Sequence, residues 1–378
     1  MKVSYLGSMA LITLLTASHA GAADLGGNCC ADLEERVAEL EATTARKGNR
    51  KVSLEVYGQV NRAMFFHEIE EAPRAKMSVI NGAQSTSRFG MKGSAKINQD
   101  VSAGFVLEIG VGGFELGTGA STNGLAARQT YVHITSKKLG KVSLGLQSTA
   151  TDGIAEIDLS KSAIASIPLS LAPADSALIG LSLSPFDGSR AESIKYTSPI
   201  IGGFSLQGAW AREDADASPG ANQMKYDVAL RYAGEFGGIR VAAGIGYRED
   251  NGLLGLFADT KTIAGSGSVM HVKSGLFLSG TYAKQDLDGI GDLKAYAVRG
   301  GIEYKATSLG KTTIYAEWGE LELPTGIDGK PTVMGAGIVQ GIDAAAMDLY
   351  GSWKQYDDKD IVGLGTQNVF MLGARIKF

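Results

Sequence analysis

The sequence predicts an all-β fold, a sixteen-stranded antiparallel transmembrane β-barrel with a short N-terminal periplasmic helix. Three observations predict it. Segments of about ten residues alternate apolar with polar along most of the chain, the period of a strand with two different faces. The connections between those segments alternate short and long, the asymmetry of a barrel with short turns on one rim and loops on the other. The last segment sets Phe370, Leu372, Ala374, Ile376 and Phe378 against Val369, Met371, Gly373, Arg375 and Lys377. A C-terminal strand that ends on an interfacial aromatic fits the closing strand of an outer-membrane barrel.

Composition agrees. The 378 residues include 51 Gly and only 8 Pro, which suits long strands passing close to one another. A mean hydropathy of +0.02 is far too low for a helical membrane protein. The 44% hydrophobic fraction excludes a disordered chain. Formal net charge is −4, so nothing points to nucleic acid.

The N-terminus carries Lys2, an apolar run from Leu6 to Leu15, and small residues at Ala20, Gly21, Ala22 and Ala23. That pattern is a secretory signal peptide over 1–22. No later apolar stretch reaches the ~18 residues of a spanning helix. An exported chain can then span a membrane only as a closed barrel, because lipid leaves no backbone group unpaired. Residues 23–50 form a periplasmic segment. Within it Leu33, Val37 and Leu40 are spaced as a short coiled-coil seam, which alone is marginal and gains sense if several copies meet. Cys29 and Cys30 are adjacent and cannot staple a fold; a bridge between subunits and free thiols are both compatible with the spacing.

The barrel occupies 51–378. Its sixteen strands are expected near 51–65, 86–97, 101–112, 127–136, 141–149, from Arg190, from Gly203, then 223–233, 238–248, 267–273, 275–284, 293–305, 312–320, 333–340, 345–356 and 367–378. The connections at 67–85, 113–126, 150–189, 212–222, 249–266 and 321–332 are long. An even strand number puts both chain ends on the short-turn side, the periplasm.

These segments resemble the general porins of alphaproteobacterial outer membranes. The resemblance lies in Cys29 to Glu41, Lys51 to Leu54, Tyr57 to Asn61, Ser87 to Gly90, Arg128 to Val132, Ser193 to Pro199, Gly202 to Ser205, and Gly373 to Phe378. It implies a homotrimer of water-filled pores in outer-membrane lipid and lipopolysaccharide, each narrowed by an inward-folded third external loop. Small hydrophilic solutes and ions would pass by passive diffusion. A substrate-selective channel is the alternative within that class. A barrel anchoring the membrane to peptidoglycan through residues 23–48 is the structural alternative.

The third external connection, 150–189, is the longest, and loops of this length are usually functional. It carries Asp152, Glu156, Asp158, Asp175 and Asp187 beside Leu-rich pieces that water alone does not require. The face opposite the lipid-facing set holds Arg88, Lys92, Lys96, Glu108, Lys195, Lys225, Asp227, Arg231, Arg240, Arg248, Arg299, Glu303, Glu317, Lys354, Arg375 and Lys377. Against lipid near the midplane each Arg or Lys would cost roughly 2–4 kcal/mol, so these charges belong in the lumen. The expected constriction sets a basic wall of Arg88, Lys92, Arg231, Arg299 and Arg375 against the five loop carboxylates. Such a field aligns polar solutes and disfavours apolar ones.

No metal, cofactor or catalytic site is expected. His67, His133 and His271 lack metal-ligand spacing. There is no nucleophile elbow or P-loop, and Gly335-Ala336-Gly337-Ile338-Val339-Gln340-Gly341 misses the dinucleotide fingerprint by one residue. The sequence therefore reads as a channel and not as an enzyme.

Overall fold

A computed structural model describes residues 51–69, 76–82, 85–112, 124–165, 186–214, 222–251, 259–325, 329–357 and 366–378. The expected signal peptide and periplasmic segment lie outside the described residues, as does Asp175. Among the described residues seventeen strands follow one another: β1 (Ser53–Ile69), β2 (Lys76–Ile80), β3 (Arg88–Lys96), β4 (Val101–Val111), β5 (Leu125–Ser136), β6 (Gly140–Ser148) and β7 (Arg190–Thr197). Then come β8 (Phe204–Asp214), β9 (Asn222–Phe236), β10 (Ile239–Asn251), β11 (Asp259–His271) and β12 (Leu276–Leu287). The wall is completed by β13 (Gly291–Thr307), β14 (Gly310–Glu322), β15 (Thr332–Ile342), β16 (Met347–Asp357) and β17 (Thr366–Lys377).

Every pairing is antiparallel, and β1 pairs β17 from Gln59↔Lys377 to Ile69↔Gln367, so the sheet closes on itself. The wall is sixteen strands round. β2 and β3 both lie on the same side of β1, at Ala63↔Ile80 and Gln59↔Arg88, and act as two pieces of one interrupted strand. Closure removes the edges that lipid would leave unpaired. Phe378 completes the seam: its backbone N–H donates to the Gly58 carbonyl at 3.1 Å and its carbonyl accepts from the Gly58 N–H at 2.9 Å. A side chain on Gly58 would collide with the Phe378 ring, 2.5 Å from an ideal Cβ.

The outer face is apolar and exposed, as Val56, Val60, Val132, Ile134, Leu206, Ile245, Leu278, Ile338 and Leu372 show. Outward aromatics gather near both ends of the strands. Near the turn Gly237-Gly238 Tyr232 stacks on Phe236 and meets Phe204 at a tilt, and Tyr282 meets Tyr296 at 5.3 Å toward the other rim. Aromatic girdles flanking an apolar band are the outer surface of a membrane barrel. Gly237 and Gly238 have φ of +54° and +83°, values that favour glycine in a two-residue hairpin turn.

Two expected elements differ. β11 begins at Asp259, not near 267, because its inward residues Thr260, Thr262, Ala264 and Ser266 are small and mostly polar and blur the apolar alternation. β2 was expected as part of a loop; its five residues add to the wall through Met77 and Val79, which face outward. The connection between β12 and β13 is a tight turn at 288–290 on the rim of the long loops.

Candidate functional site: the lumen and its inward segment

The register assigns one side of each strand to the lumen. Gln59, Asn61, Arg88, Glu108, His133, Lys195, Asp227, Arg231, Arg299, Glu317, Lys354 and Arg375 all fall on that side. Every member of the expected lumen list lies there.

Residues 150–165 leave the wall after β6 and run along its inside across β9 to β16. The Ala150 and Thr151 N–H groups donate to the Asp227 carboxylate at 3.1 and 2.8 Å, and Arg231 Nη2 donates to the carbonyls of Ala150 and Asp152 at 3.1 and 2.7 Å. Next the segment crosses two glycines. An ideal Cβ on Gly246 would stand 2.6 Å from Thr151 Cγ2, and one on Gly244 would stand 2.6 Å from Ile154 Cδ1. Only bare backbone at those positions leaves the path open.

Small hydroxyls on β11 and β12 then take the segment's backbone. Ile157 and Leu159 N–H donate to Ser266 and Ser268 Oγ at 3.0 and 3.1 Å. Ser266 and Thr281 donate to the carbonyls of Ile154 and Ala155 at 2.6 and 2.9 Å. Buried backbone groups demand partners, and each bond adds about 1 kcal/mol net. Asp187, at the return of the loop, accepts from the N–H groups of Gly153, Ile154 and Ala155 at 2.8, 2.8 and 3.2 Å. Arg248 donates to the Asp187 carbonyl. A single 3-10 turn, Ser162–Ile164, follows, and Ser352 donates to the Ala165 carbonyl at 3.2 Å.

A buried charge cluster fixes the middle of the segment. Arg299 reaches Asp158 at 3.1 Å and Glu317 at 2.6 Å, and Lys354 stands 3.4 Å from Glu317. The Arg299 side chain is 2% exposed. Buried charges persist only when paired, and here two carboxylates meet two cations.

The predicted site residues therefore separate. Arg231 and Arg299 were expected as pore-wall charges; the segment covers both, so they tie the loop to the wall. Asp158 and Asp187 were expected as pore-facing acids; Asp158 is spent on Arg299 and Ser162, and Asp187 on three backbone N–H groups. Asp152 is half-buried and Glu156 is exposed. Glu156 is open to lumen water yet ringed by protein, and that desolvation, with the charges of Asp187 and Asp152, pushes its pKa up to about 8.

The arc from β3 to β6 carries no part of 150–165 among the described contacts. Glu108 there holds Arg128 at 3.0 Å and Arg88 at 3.8 Å, and Tyr57 OH donates to it at 3.2 Å. Arg375 pairs with Asp348 at 2.8 Å, and Lys161 comes within 3.7 Å of the same carboxylate. Lys92 pairs with Glu55 at 2.9 Å, nearer the short-turn rim. Arg128 was not among the expected wall residues. It sits where the β4–β5 register slips between Glu108 and Ile109, and the slip turns it inward.

A closed antiparallel barrel with an apolar outside and a charged inside, crossed by a segment of its own chain, defines an outer-membrane channel. The model of the Gram-negative porin family matches residues 7–375, and the chain belongs to that family. It is 24% identical over 365 residues to an outer membrane porin protein of Bordetella pertussis, covering 89% of this chain and 88% of that one. An anion-selective porin from Comamonas acidovorans superposes with a TM-score of 0.63 at 18% identity, over 86% of this chain and 100% of that one. OmpT of Vibrio cholerae, solved in trimer form, gives 0.59 at 17% identity over 86% and 99%. The protein is an outer-membrane porin, a passive channel for small solutes.

Proposed function

We propose that this porin is a homotrimeric general diffusion pore of the alphaproteobacterial type, narrowed by residues 150–165. Its field runs from Arg88, Arg128 and Arg375 toward Asp152, and Glu156 adds to the negative pole only as pH rises through about 8. Both ends of the barrel chain face the periplasm. The observation that carries the reading is the course of 150–165 over eight neighbouring strands, tied by hydrogen bonds at most of them. A segment so held takes lumen cross-section along one side only. The cations of β3 to β6, which residues 150–165 leave uncovered among the described contacts, are then the fixed charges of that field.

Arg62 supports association between copies. It is exposed on the outside of β1, in register with Ala374. Against lipid near the midplane an arginine costs roughly 2–4 kcal/mol, and a neighbouring subunit removes the lipid from that face. Short turns on the rim that holds both chain ends support the periplasmic placement.

Planar-bilayer recording under a salt gradient tests the proposal. The expected result is a stable ohmic step that closes in thirds at high voltage, with a reversal potential that moves toward cations when Arg88 and Arg128 are replaced by Ser. An intact, heat-modifiable barrel without conductance would sink the pore reading; single-step closure would sink the trimer.

A further inference from the structure

We infer that an inward excursion of the interrupted second strand, carrying Gly82, Ser85 and Thr86, completes the narrow ring begun by residues 150–165, sets the size limit for solutes, and holds Arg88 and Arg128 at that ring. The inference rests on the diffusion-pore reading. Between Ala63 and Gln59 on β1 lie three residues, while between their partners Ile80 and Arg88 lie seven. The ladder can seat three of those seven, so four must leave the wall.

Gly82, Ser85 and Thr86 lie on the lumen side. Gln59 and Asn61 point inward, yet they are 9% and 0% exposed. What covers them is the excursion. Gln59 Nε2 donates to the Ser85 carbonyl, Ser85 Oγ and the Thr86 carbonyl at 3.1, 2.7 and 2.8 Å, and Asn61 Nδ2 donates to the Ser85 carbonyl at 2.8 Å. Gly82 lies so close over Asn61 that an ideal Cβ would stand 2.2 Å from Nδ2. Below it Ser87 and Asn61 exchange two hydrogen bonds, and Asn81 spans from the Ser87 N–H to the Val111 carbonyl. This polar base is buried and satisfied, so the excursion is a rigid shelf.

Its height matches Lys161 of the other segment. Asn61 pairs in register with Arg375 and Arg375 with Asp348, the carboxylate that Lys161 approaches. Tyr350 OH donates to Asn61 Oδ1 at 2.7 Å, bridging the two elements across β16 to β1. The described part of the inward segment reaches β16, and Gly82, Ser85 and Thr86 stand over the adjoining face of β1. The shelf also aims the guanidinium groups. Arg88 donates to the Thr86 carbonyl at 3.2 Å and Ser85 Oγ at 3.0 Å, and Arg128 Nη1 donates to Thr86 Oγ1 at 3.2 Å. The chemistry it presents, hydroxyls and carbonyls beside two guanidinium groups, suits small hydroxylated solutes that bear a carboxylate or other oxyanion.

The test combines liposome swelling with arabinose, raffinose and stachyose, and conductance in bilayers. Deleting residues 82–85 returns the strand to three residues opposite 60–62; the raffinose-to-arabinose rate ratio should rise at least about twofold, with higher conductance. Ser85→Trp keeps the length and should lower conductance and raffinose entry by about the same factor. Thr86→Val with Ser85→Ala should move the reversal potential toward cations, because Arg88 and Arg128 lose their positioning. If the deleted chain fails to fold, Ser85→Trp decides by itself. Unchanged size exclusion in a folded variant overturns the inference, whereas a wild type that passes no sugar overturns the diffusion-pore reading beneath it.

Discussion

Two arcs of the same inner wall, β9 to β16 and β3 to β6, carry the same kinds of residue and use them differently. On the first, Arg231, Arg299 and Asp227 are covered by a crossing segment and spend their charges on it. On the second, Arg88 and Arg128 share one carboxylate, Glu108, so cation exceeds anion where no described part of 150–165 lies over the wall. An inward charge thus has two fates. It becomes a fastener where the chain folds back over it, and a source of field where it does not. Alternation of strands gives the side of the wall but not the fate.

The comparison breaks most sharply at Arg299. Arg299→Ala leaves Asp158 and Glu317 buried with a partner gone, a loss of about 3–5 kcal/mol. The expected outcome is a lower temperature of heat-modification with larger, noisier single-channel currents. An unchanged trace would mean that the cluster does not hold the segment. Gly244→Leu should have the next largest effect. It evicts Ile154 and Ile157 from the wall without touching a charge, so conductance should rise by about twofold or more while barrel stability changes little.

On the uncovered arc, Arg88→Ser with Arg128→Ser should change the cation-to-anion permeability ratio by about threefold, read from the reversal potential. Lys92→Ser should move it much less, since Lys92 pairs with Glu55 nearer the rim. The smallest effect is a pH dependence. With the Glu156 pKa raised to about 8, that carboxyl is protonated and neutral below this pH and becomes charged as pH rises through it. Cation preference should therefore increase across pH 8, and Glu156→Gln should abolish the change.

Much of the wall was legible in the sequence for one reason: charge on the lipid face is costly, so Arg88, Lys195, Arg231 and Arg375 betray the inward side of their strands. The strand count was legible from the same alternation. What was not legible is the tertiary detail inside the ring. Ser266, Ser268 and Thr281 read as unremarkable polar wall residues, yet they receive the backbone of a segment more than a hundred positions away. Nothing local marks a hydroxyl as a landing place for a distant N–H. Arg128 escaped because a register slip, not alternation, turns it inward. The excursion after β2 escaped because its Ser, Thr and Gly residues have the composition of an ordinary loop, and only the count against β1 shows that they cannot lie in the wall.

The seam between β1 and β17 bears on how the molecule is made. β1 has β3 and β2 along one side, and its other side is empty until β17 and Phe378 exist to fill it. A ribosome emits β1 first and β17 last, so the ring cannot shut on a growing chain, and an open sheet of this size with an apolar face would aggregate in water. The polypeptide has to travel unclosed and find its two ends together at the membrane. A chain that lacks Thr366 to Phe378 leaves one side of β1 without a partner and cannot close the ring.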